Sequence, residues 1–295
     1  MGADTQSMNE AHAQHAFPAP AKLNLFLQIT GKLPNGYHAL QTVFRLLNWG
    51  DVLHIRVRDD GKITRVGAQH AAVAESEDLA IRAAHLLKAR LQTPLGADID
   101  IEKHTPSGAG LGGGSSDAAT VLVALNTLWH GGLSVETLAE VGLELGADVP
   151  VFVHGKNAFA TGMGEVLQPI SLPPAWYLLA KPEVHAATAE LFSDPELTRD
   201  SRAVTISDFA EGRVDKVNAF EAVLRRREKS VDALFHALSP AGIPQLTGSG
   251  SVVFIECDSR QAAEAAQGFV PAGCASWIVQ GADRSPLLDA VEKIQ

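Results

Sequence analysis

Strict alternation of apolar and polar residues predicts strands in the first third of the chain. Residues 21–29 place four apolar side chains on one face and, on the other, Lys22, Asn24, Phe26 and Gln28. Residues 97–103 alternate in the same way. A period of two is typical of a strand buried on one face, so both segments are expected to be half-buried strands. Residues 42–47 and 52–57 are also strand-like, and they predict an antiparallel meander joined through residues 48–51.

Apolar residues spaced three or four apart predict helices over residues 79–91, 118–129 and 134–145. The second segment is apolar over more than three turns, which indicates a buried helix. Gly146 is expected to close the third helix in the left-handed conformation. The short apolar run 149–153 is predicted to be a strand.

Prolines at 169, 173 and 174 mark a boundary between two predicted domains. Beyond them the pattern predicts strands over residues 176–180, 252–256 and 275–279, and helices over residues 188–192, 215–238 and 261–267. We therefore predict an α+β fold of two domains, residues 17–172 and 173–295, the second a sandwich of one sheet with helices on one face. Residues 1–16 lack a continuous apolar core and are expected to be a disordered extension.

Composition and charge exclude several classes of protein. The 295 residues suit two domains, and 46% hydrophobic with 20% charged residues is typical of a globular enzyme. The net charge of −10 argues against nucleic-acid binding, which needs clustered Lys and Arg. Cys257 and Cys274 stand in no zinc-like pattern, so no structural metal is expected, and this usage fits a reducing cytoplasm. No apolar run approaches the roughly 18–20 residues of a membrane helix, so no membrane partner is expected.

A glycine-rich loop over residues 106–119 separates the predicted strand 97–103 from the predicted helix 118–129. Its glycines, at positions 108, 110, 112, 113 and 114, allow positive φ and close approach of the backbone to a ligand. Ser115 or Ser116 is expected to cap the N-terminus of the helix. Because free N–H groups and the positive end of the helix dipole would meet there, the loop is predicted to bind phosphate.

Two other kinds of phosphate-binding loop fit less well. The Walker pattern GxxxxGK[ST] does not occur in the sequence. Residues 108–113 match the bare GxGxxG of dinucleotide-binding oxidoreductases, but the strand before them alternates. In addition, Gly131 and Gly132 occupy the place where an acidic residue should end the next strand. A dinucleotide-binding oxidoreductase is kept only as an alternative, as is a nucleotide-binding module without catalytic activity.

Three stretches of the chain together resemble the sequence motifs of one enzyme family, the GHMP small-molecule kinases. Residues 20–25 resemble the first motif, residues 106–119 the second and residues 246–254 the third, in the family's order. Residues 36–38 and 145–152 make the chain similar to the members that act on a cytidine-diphosphate-linked polyol in isoprenoid synthesis. The resemblance covers nearly the whole chain.

The resemblance implies a fold in which residues 17–172 bind ATP, residues 173–295 form the C-terminal domain, and the active site lies in the cleft between them. It implies transfer of the γ-phosphoryl group of ATP, with Mg²⁺, to a hydroxyl of the polyol. The expected partners are these small molecules, without nucleic acid or membrane, and a cytoplasmic monomer or weak homodimer is expected. A GHMP kinase for another small alcohol, such as mevalonate or homoserine, is the main alternative.

The resemblance implies that Lys22 and Asp148 form the catalytic pair. Asp148 would accept the proton of the hydroxyl, while Lys22 would keep that carboxylate ionised and neutralise charge on the phosphoryl group. Asn24 shares a strand face with Lys22 and is expected to reach the same ligand.

The family's cytosine-binding residues are matched by Tyr37 and His38, the first for stacking and the second for hydrogen bonding to the base edge. Phe192 matches the aromatic residue on the other side of the base, and Thr188 stands one helical turn before it. This base pocket is implied by the resemblance alone.

The ATP contacts that the resemblance implies are Asp78, Leu79, Lys103, Pro106, Ser107, Gly108, Ala109, Gly110, Leu111, Gly112, Gly113, Gly114, Ser115 and Ser116. The third motif adds Thr247, Gly248, Ser249 and Gly250. Ser115 or Ser116 is expected near the magnesium ion, with Asp117 also able to approach it. Asp78 departs from the family, which usually carries asparagine there, so an amide donor to the nucleotide is expected to be lost.

Overall fold

The computed structural model describes residues 13–34, 36–67, 74–184 and 186–294. The strands are β1 (Gln14–Lys32), β2 (His38–Arg58), β3 (Ile63–Val66), β4 (Gly96–Glu102), β5 (Ala158–Thr161), β6 (Val166–Pro169), β7 (Trp176–Lys181), β8 (Gln245–Leu246), β9 (Val253–Cys257) and β10 (Ala275–Ala282). The helices are α1 (Leu79–Leu91), α2 (Gly113–Leu128), α3 (Val135–Leu143), α4 (Val149–His154), α5 (Thr188–Phe192), α6 (Ile206–Ala210), α7 (Glu221–Arg227), α8 (Lys229–Leu238), α9 (Arg260–Gln267) and α10 (Pro286–Glu292). A 3-10 helix spans Glu75–Glu77. None of the described helices is long and apolar enough to cross a membrane.

One sheet links the two halves of the described chain. Its strands follow the order β3-β4-β2-β10-β7-β9-β8, with β1 and β5 also paired to β2 and β6 paired to β5. β1 and β2 are long antiparallel partners. The halves meet where Gly281 and Ala282 of β10 pair with Leu47 and Leu46 of β2. The predicted domains are therefore joined through backbone pairing between these two strands.

Three apolar clusters hold these elements together. The first packs β1, β2 and β4 against α1 to α4, and it also contains Leu287 and Val291 of the last helix. The second packs β7 and β9 against α5, α7, α8 and α9. The third lies between them and includes Ala109 and Leu111 of the glycine-rich loop. The boundary at residues 172 and 173 stays a prediction, and α10 is a segment beyond it that packs on the first half.

The burial of β1 differs from the prediction. Its polar side chains are buried as well as its apolar ones, with Lys22 and Asn24 each 3% exposed. The reason is that the glycine-rich loop and the turn at residues 247–252 cover the face that was expected to meet solvent. β1 also begins at Gln14, because residues 14–16 pair with β2, so these three residues are not a disordered extension. Residues 1–12 lie outside the described part of the chain.

β2 is one continuous strand where two strands and a turn were predicted. Gly50, expected in the turn, pairs with Pro20 of β1. A Cβ atom at Gly50 would lie 2.0 Å from the carbonyl oxygen of Ala19. Glycine is needed here because two strands approach closely, not because the chain reverses.

The predicted strand over residues 149–153 is wrong, since Val149–His154 is a helix. Pro150 stands in the first turn, where the N–H group that proline lacks would have no helical partner. Gly155 ends the helix with φ of 62°. A short apolar run does not distinguish a buried strand from a buried helix, so these flanking residues decide the matter.

Other predicted helix ends are also wrong. Gly112, with φ of 73°, caps α2, so Ser115 and Ser116 already lie inside the helix and neither caps it. α3 ends in a right-handed cap at Glu144, and Gly146 does not take the predicted left-handed conformation. Residues 215–220, predicted to be helical, precede α7 without helical structure.

Candidate active site

The glycine-rich loop lies between β1 and the turn of the third motif. The N–H group of Lys22 donates to the Leu111 carbonyl at 3.0 Å, and that of Val252 donates to the Ala109 carbonyl at 3.3 Å. Gly110 is needed for this packing, because a Cβ atom there would lie 2.1 Å from the carbonyl oxygen of Thr247. The structure thus brings the three predicted motifs together.

Lys22 and Asp148 form an ion pair, with Nζ 3.3 Å from Oδ2. The Lys22 ammonium also donates to Asn24 Oδ1 at 2.7 Å and to the Gly110 carbonyl at 3.0 Å. The ammonium therefore has two hydrogen-bond acceptors and one carboxylate partner. The Lys22 side chain is 3% exposed and that of Asp148 is 36% exposed. The lysine is held rigidly, whereas the carboxylate remains accessible from the cleft.

Asn24 connects the motifs rather than presenting a free amide. Its Oδ1 accepts from the N–H of Gly248 at 3.0 Å, and its Nδ2 donates to Thr42 Oγ1 at 2.9 Å. Its backbone N–H donates to Thr247 Oγ1 at 3.0 Å. Asn24 therefore positions Lys22 and the third motif relative to each other.

One cleft of about 260 Å³ collects predicted residues from distant parts of the chain. Its lining includes Lys22, Asn24, Gly110, Gly112, Asp148, Thr188, Phe192, Gly248 and Ser249. Thr188 at the start of α5 is joined to the third motif, with its Oγ1 2.6 Å from Ser249 Oγ. Tyr37, His38, Asp78 and Lys103 are not among the lining residues of this cleft.

Two aromatic residues, Phe192 and Phe220, line the cleft, and His38 lies against the first of them. The rings of His38 and Phe192 stack with centroids 4.9 Å apart at 20°, and Phe220 meets Phe192 edge-on. Tyr37 is 64% exposed. A base between two rings needs a ring separation of roughly 7 Å, twice a carbon contact distance. The predicted arrangement, with the base between Tyr37 and Phe192, therefore requires the His38 ring to leave the face of Phe192.

A buried charge network lies behind the other side of the glycine-rich loop. Lys103 Nζ donates to Asp117 Oδ2 at 2.8 Å and also to Asp51. Asp51 is 1% exposed and accepts hydrogen bonds from the N–H groups of His104 and Thr105 and from the Thr105 hydroxyl. Asp51 could not be recognised from the sequence, because an acidic residue next to a strand-like segment carries no sign of such a role.

Burial and pairing act in opposite directions on these carboxylates. Burial would raise the pKa of Asp51, but the charge of Lys103, with hydrogen bonds from Lys103 and Thr105, holds this pKa below its usual value. Burial raises the pKa of Asp117 to about 7 although Lys103 opposes the shift. The protonation of Asp117 should therefore be sensitive to a charge placed beside it.

Two polar atoms at the start of α2 remain available for a ligand. Ser116 Oγ and Asp117 Oδ1 are buried and have no hydrogen-bond partner within the described residues. No group of three or more His, Cys, Asp and Glu side chains suited to a metal occurs in this part of the chain. Mg²⁺ needs only one or two carboxylates when phosphate oxygens and water complete its shell, so this donor set fits that ion.

Asp78 caps α1, with Oδ1 accepting from the N–H of Ala80 at 3.0 Å. Its Oδ2 pairs with Arg65 at 3.2 Å. Both carboxylate oxygens therefore have partners in the protein, as suits an acidic residue at a helix N-terminus. Leu79 packs near Gly114 of the loop, with Cδ1 3.7 Å from the place of a Cβ atom there.

Comparison with known proteins agrees with this geometry. The family model described as the GHMP kinases N terminal domain matches residues 78–156. A 4-diphosphocytidyl-2-C-methyl-D-erythritol kinase of Xanthomonas campestris pv. campestris is 58% identical over 283 residues, which cover 96% of each chain. The protein of that name from Xylella fastidiosa is 56% identical over 280 residues, covering 95% of this chain and 94% of the relative.

Solved structures share the architecture. A crystal structure of 4-(cytidine 5'-diphospho)-2C-methyl-D-erythritol kinase matches with a TM-score of 0.74 and 30% identity, covering 92% of this chain and 100% of the other. The mevalonate kinase of Methanococcus jannaschii matches with a TM-score of 0.65 at 13% identity, over 92% and 98% of the two chains, and shows the fold alone. The predicted fold class is confirmed. This chain belongs to the GHMP kinase family, in the branch of the 4-diphosphocytidyl-2-C-methyl-D-erythritol kinases.

Proposed function

We propose that this chain transfers the γ-phosphoryl group of ATP to the 2-hydroxyl of 4-diphosphocytidyl-2-C-methyl-D-erythritol, forming the 2-phosphate and ADP. The observation that carries the proposal is the Lys22 and Asp148 pair, 3.3 Å apart in a cleft lined by the glycine-rich loop. The names of the close relatives supply the substrate. The reaction belongs to isoprenoid precursor synthesis.

In the proposed reaction, a bond forms between the hydroxyl oxygen and the γ-phosphorus while the bond to the β,γ-bridging oxygen breaks. The hydroxyl proton passes to the Asp148 carboxylate, which is the accessible member of the pair. Lys22 holds that carboxylate in place and offsets charge on the transferred group. Asn24 acts through Lys22, because it orients the ammonium.

The glycine-rich loop, residues 106–116, would hold the ATP phosphates through its N–H groups and the N-terminus of α2. Asp78, Leu79 and Lys103 are proposed at the nucleotide side of the site. Ser116 and Asp117 would hold Mg²⁺, which supplies charge neutralisation to the phosphates when bound. Tyr37, His38, Thr188 and Phe192 are proposed to receive the cytidyl group. A cytoplasmic location and a monomer or weak dimer stay predictions.

A product assay tests the proposal. The purified chain is incubated with ATP, Mg²⁺ and the cytidyl substrate, ADP release is followed, and phosphorus NMR identifies the phosphorylated hydroxyl. Mevalonate and homoserine run in parallel. We expect turnover of the cytidyl compound and a 2-phosphate product. Turnover of mevalonate or homoserine instead would assign the chain to another substrate, and no turnover of any alcohol would contradict a kinase.

A further inference from the structure

Arg199 joins His38 and Phe192. Its Nη2 donates to the carbonyls of Phe192 at 2.8 Å and Asp194 at 2.7 Å, and its Nη1 donates to the carbonyl of Leu197 at 3.0 Å. Its Nε donates to Nε2 of His38 at 3.3 Å. One guanidinium therefore holds the end of α5, the turn after it and the His38 ring.

The direction of the Arg199 to His38 hydrogen bond determines where the histidine proton lies. A guanidinium has donors and no acceptor, so His38 Nε2 must accept. In the neutral ring the single proton is then on Nδ1. Burial lowers the pKa of His38, and the charges of Arg199 and Lys32 lower it further, which favours the neutral ring.

We infer that Arg199 is a positioning residue of the base subsite, because it fixes His38 as the Nδ1–H tautomer and so makes the ring a hydrogen-bond donor towards the base. The inference rests on the proposed function. The ligand group it suits is a pyrimidine edge with an acceptor atom, such as N3 or the carbonyl oxygen of cytosine. Uracil carries a proton on N3, so a donor that faces N3 would reject uracil.

The same hydrogen bonds tie the position of Phe192 to the state of His38. Arg199 bonds the Phe192 carbonyl and the His38 ring simultaneously, although the two segments are separated by more than 150 residues in the chain. The guanidinium therefore links the backbone at the end of α5 to the His38 ring. Arg199 acts through these two residues and is not a catalytic residue.

Nitrogen-15 NMR of histidine-labelled protein tests the tautomer directly. The His38 signals are assigned by their loss in His38→Asn, and long-range proton couplings show which ring nitrogen carries the proton. We expect Nδ1–H in the wild type and a shift towards Nε2–H in Arg199→Gln. Arg202→Gln, an exposed arginine three residues along, is the matched control and should leave the signals unchanged. Nε2–H in the wild type would overturn the inference.

Kinetics of two His38 variants give a second test that does not depend on an Arg199 variant folding. The amide nitrogen of asparagine occupies the place of Nδ1, because both are bonded to Cγ, whereas that of glutamine occupies the place of Nε2. Losing one hydrogen bond of about 1.4 kcal/mol is a tenfold change, so we expect KM for the cytidyl substrate to be roughly tenfold higher in His38→Gln than in His38→Asn. KM for ATP should be unchanged in both.

The outcomes separate the two proposals. Equal KM values for the two His38 variants would contradict a donor at Nδ1 while leaving the kinase activity established. A wild type that does not turn over the cytidyl substrate would contradict the proposed function. The NMR measurement would still decide whether Arg199 sets the tautomer.

Discussion

The two sides of the cleft are built by different means. The phosphate side is one contiguous loop, residues 106–116, whose shape comes from glycine backbone and from charges buried behind it. The proposed base side is assembled from His38 and, more than 150 residues later, Phe192 and Arg199, whose side chains meet the His38 ring. A substitution on the phosphate side should therefore act through backbone shape and stability. A substitution on the base side should act through lost contacts with the cytidyl substrate and not with ATP.

Replacing Asp148, which lies with Lys22 between the two sides of the cleft, should have the largest effect on activity. In Asp148→Asn the carboxylate that accepts the proton is lost, so turnover should fall by about 10²–10⁴-fold, the range for a general base. Binding of a non-hydrolysable ATP analogue, measured by calorimetry, should change little. Glu144→Gln, an exposed carboxylate four residues earlier, is the control. Turnover within a few-fold of the wild type would place the base elsewhere.

The charge network behind the loop should govern stability. Asp51→Asn places an amide against Lys103 and the Thr105 N–H, so we expect a loss of about 3–5 kcal/mol in the free energy of unfolding, as for a broken buried pair. Urea denaturation measures it, with the exposed Asp215→Asn as control.

The effect of Asp51 should also depend on pH. The pKa of Asp51 in the folded protein is below the ordinary value of 3.8, so its contribution is present above pH 3.8 and is lost as the pH falls through the folded pKa. The difference between wild type and Asp51→Asn should therefore narrow under acid conditions. A difference that stays constant down to pH 2 would contradict this role.

Crowding at the loop should have the next largest effect. In Gly112→Ala the new Cβ atom would lie 2.9 Å from Phe152 Cζ and 3.1 Å from Lys22 Cε, at a φ of 73°. Overpacking costs about 1–3 kcal/mol, so the free energy of unfolding should fall by about that much in urea denaturation, and the displaced loop should bind the ATP analogue more weakly. Gly132→Ala is the matched control, because it has φ of 65° and no atom within 4 Å. Equal losses in both variants would show that backbone strain alone is responsible.

The base side should show the smallest and most selective effect. Phe192→Leu removes an aromatic face, and stacking of a base is worth about 1–3 kcal/mol, so KM for the cytidyl substrate should rise by roughly 5- to 150-fold. KM for ATP should not change in steady-state assays. Phe269→Leu, 45% exposed, is the control. A parallel rise in both KM values would contradict the separation of the two sides.

Periodicity predicted some elements well and failed where local patterns were ambiguous. α1 and α5 have the predicted bounds, Leu79–Leu91 and Thr188–Phe192. The run 149–153 is a helix, since Pro150 and Gly155 set its ends. Gly50 was predicted to lie in a turn but lies within β2, because a glycine in a turn and a glycine between two close strands look alike in sequence.

The candidate site was predictable where a motif is contiguous. The glycine-rich loop, Lys22 and Asp148 could be named from the sequence, and the structure places them at one cleft. Asp51 and Arg199 could not be named, because Thr105, a partner of Asp51, and His38, a partner of Arg199, lie far from them along the chain. Their roles exist only as hydrogen bonds between distant segments.

The sequence by itself determined the family, and it was enough to nominate the glycine-rich loop and the pair Lys22 and Asp148, because these reside in short stretches whose residue types carry their chemistry. Only the tertiary structure decided that Lys22 is buried beside Asp148, that Asp51 accepts hydrogen bonds from the strand end before the loop, and that Arg199 donates to His38. The physical reason is that burial and hydrogen-bond direction depend on which segments pack together. Spacing along the chain does not encode that packing.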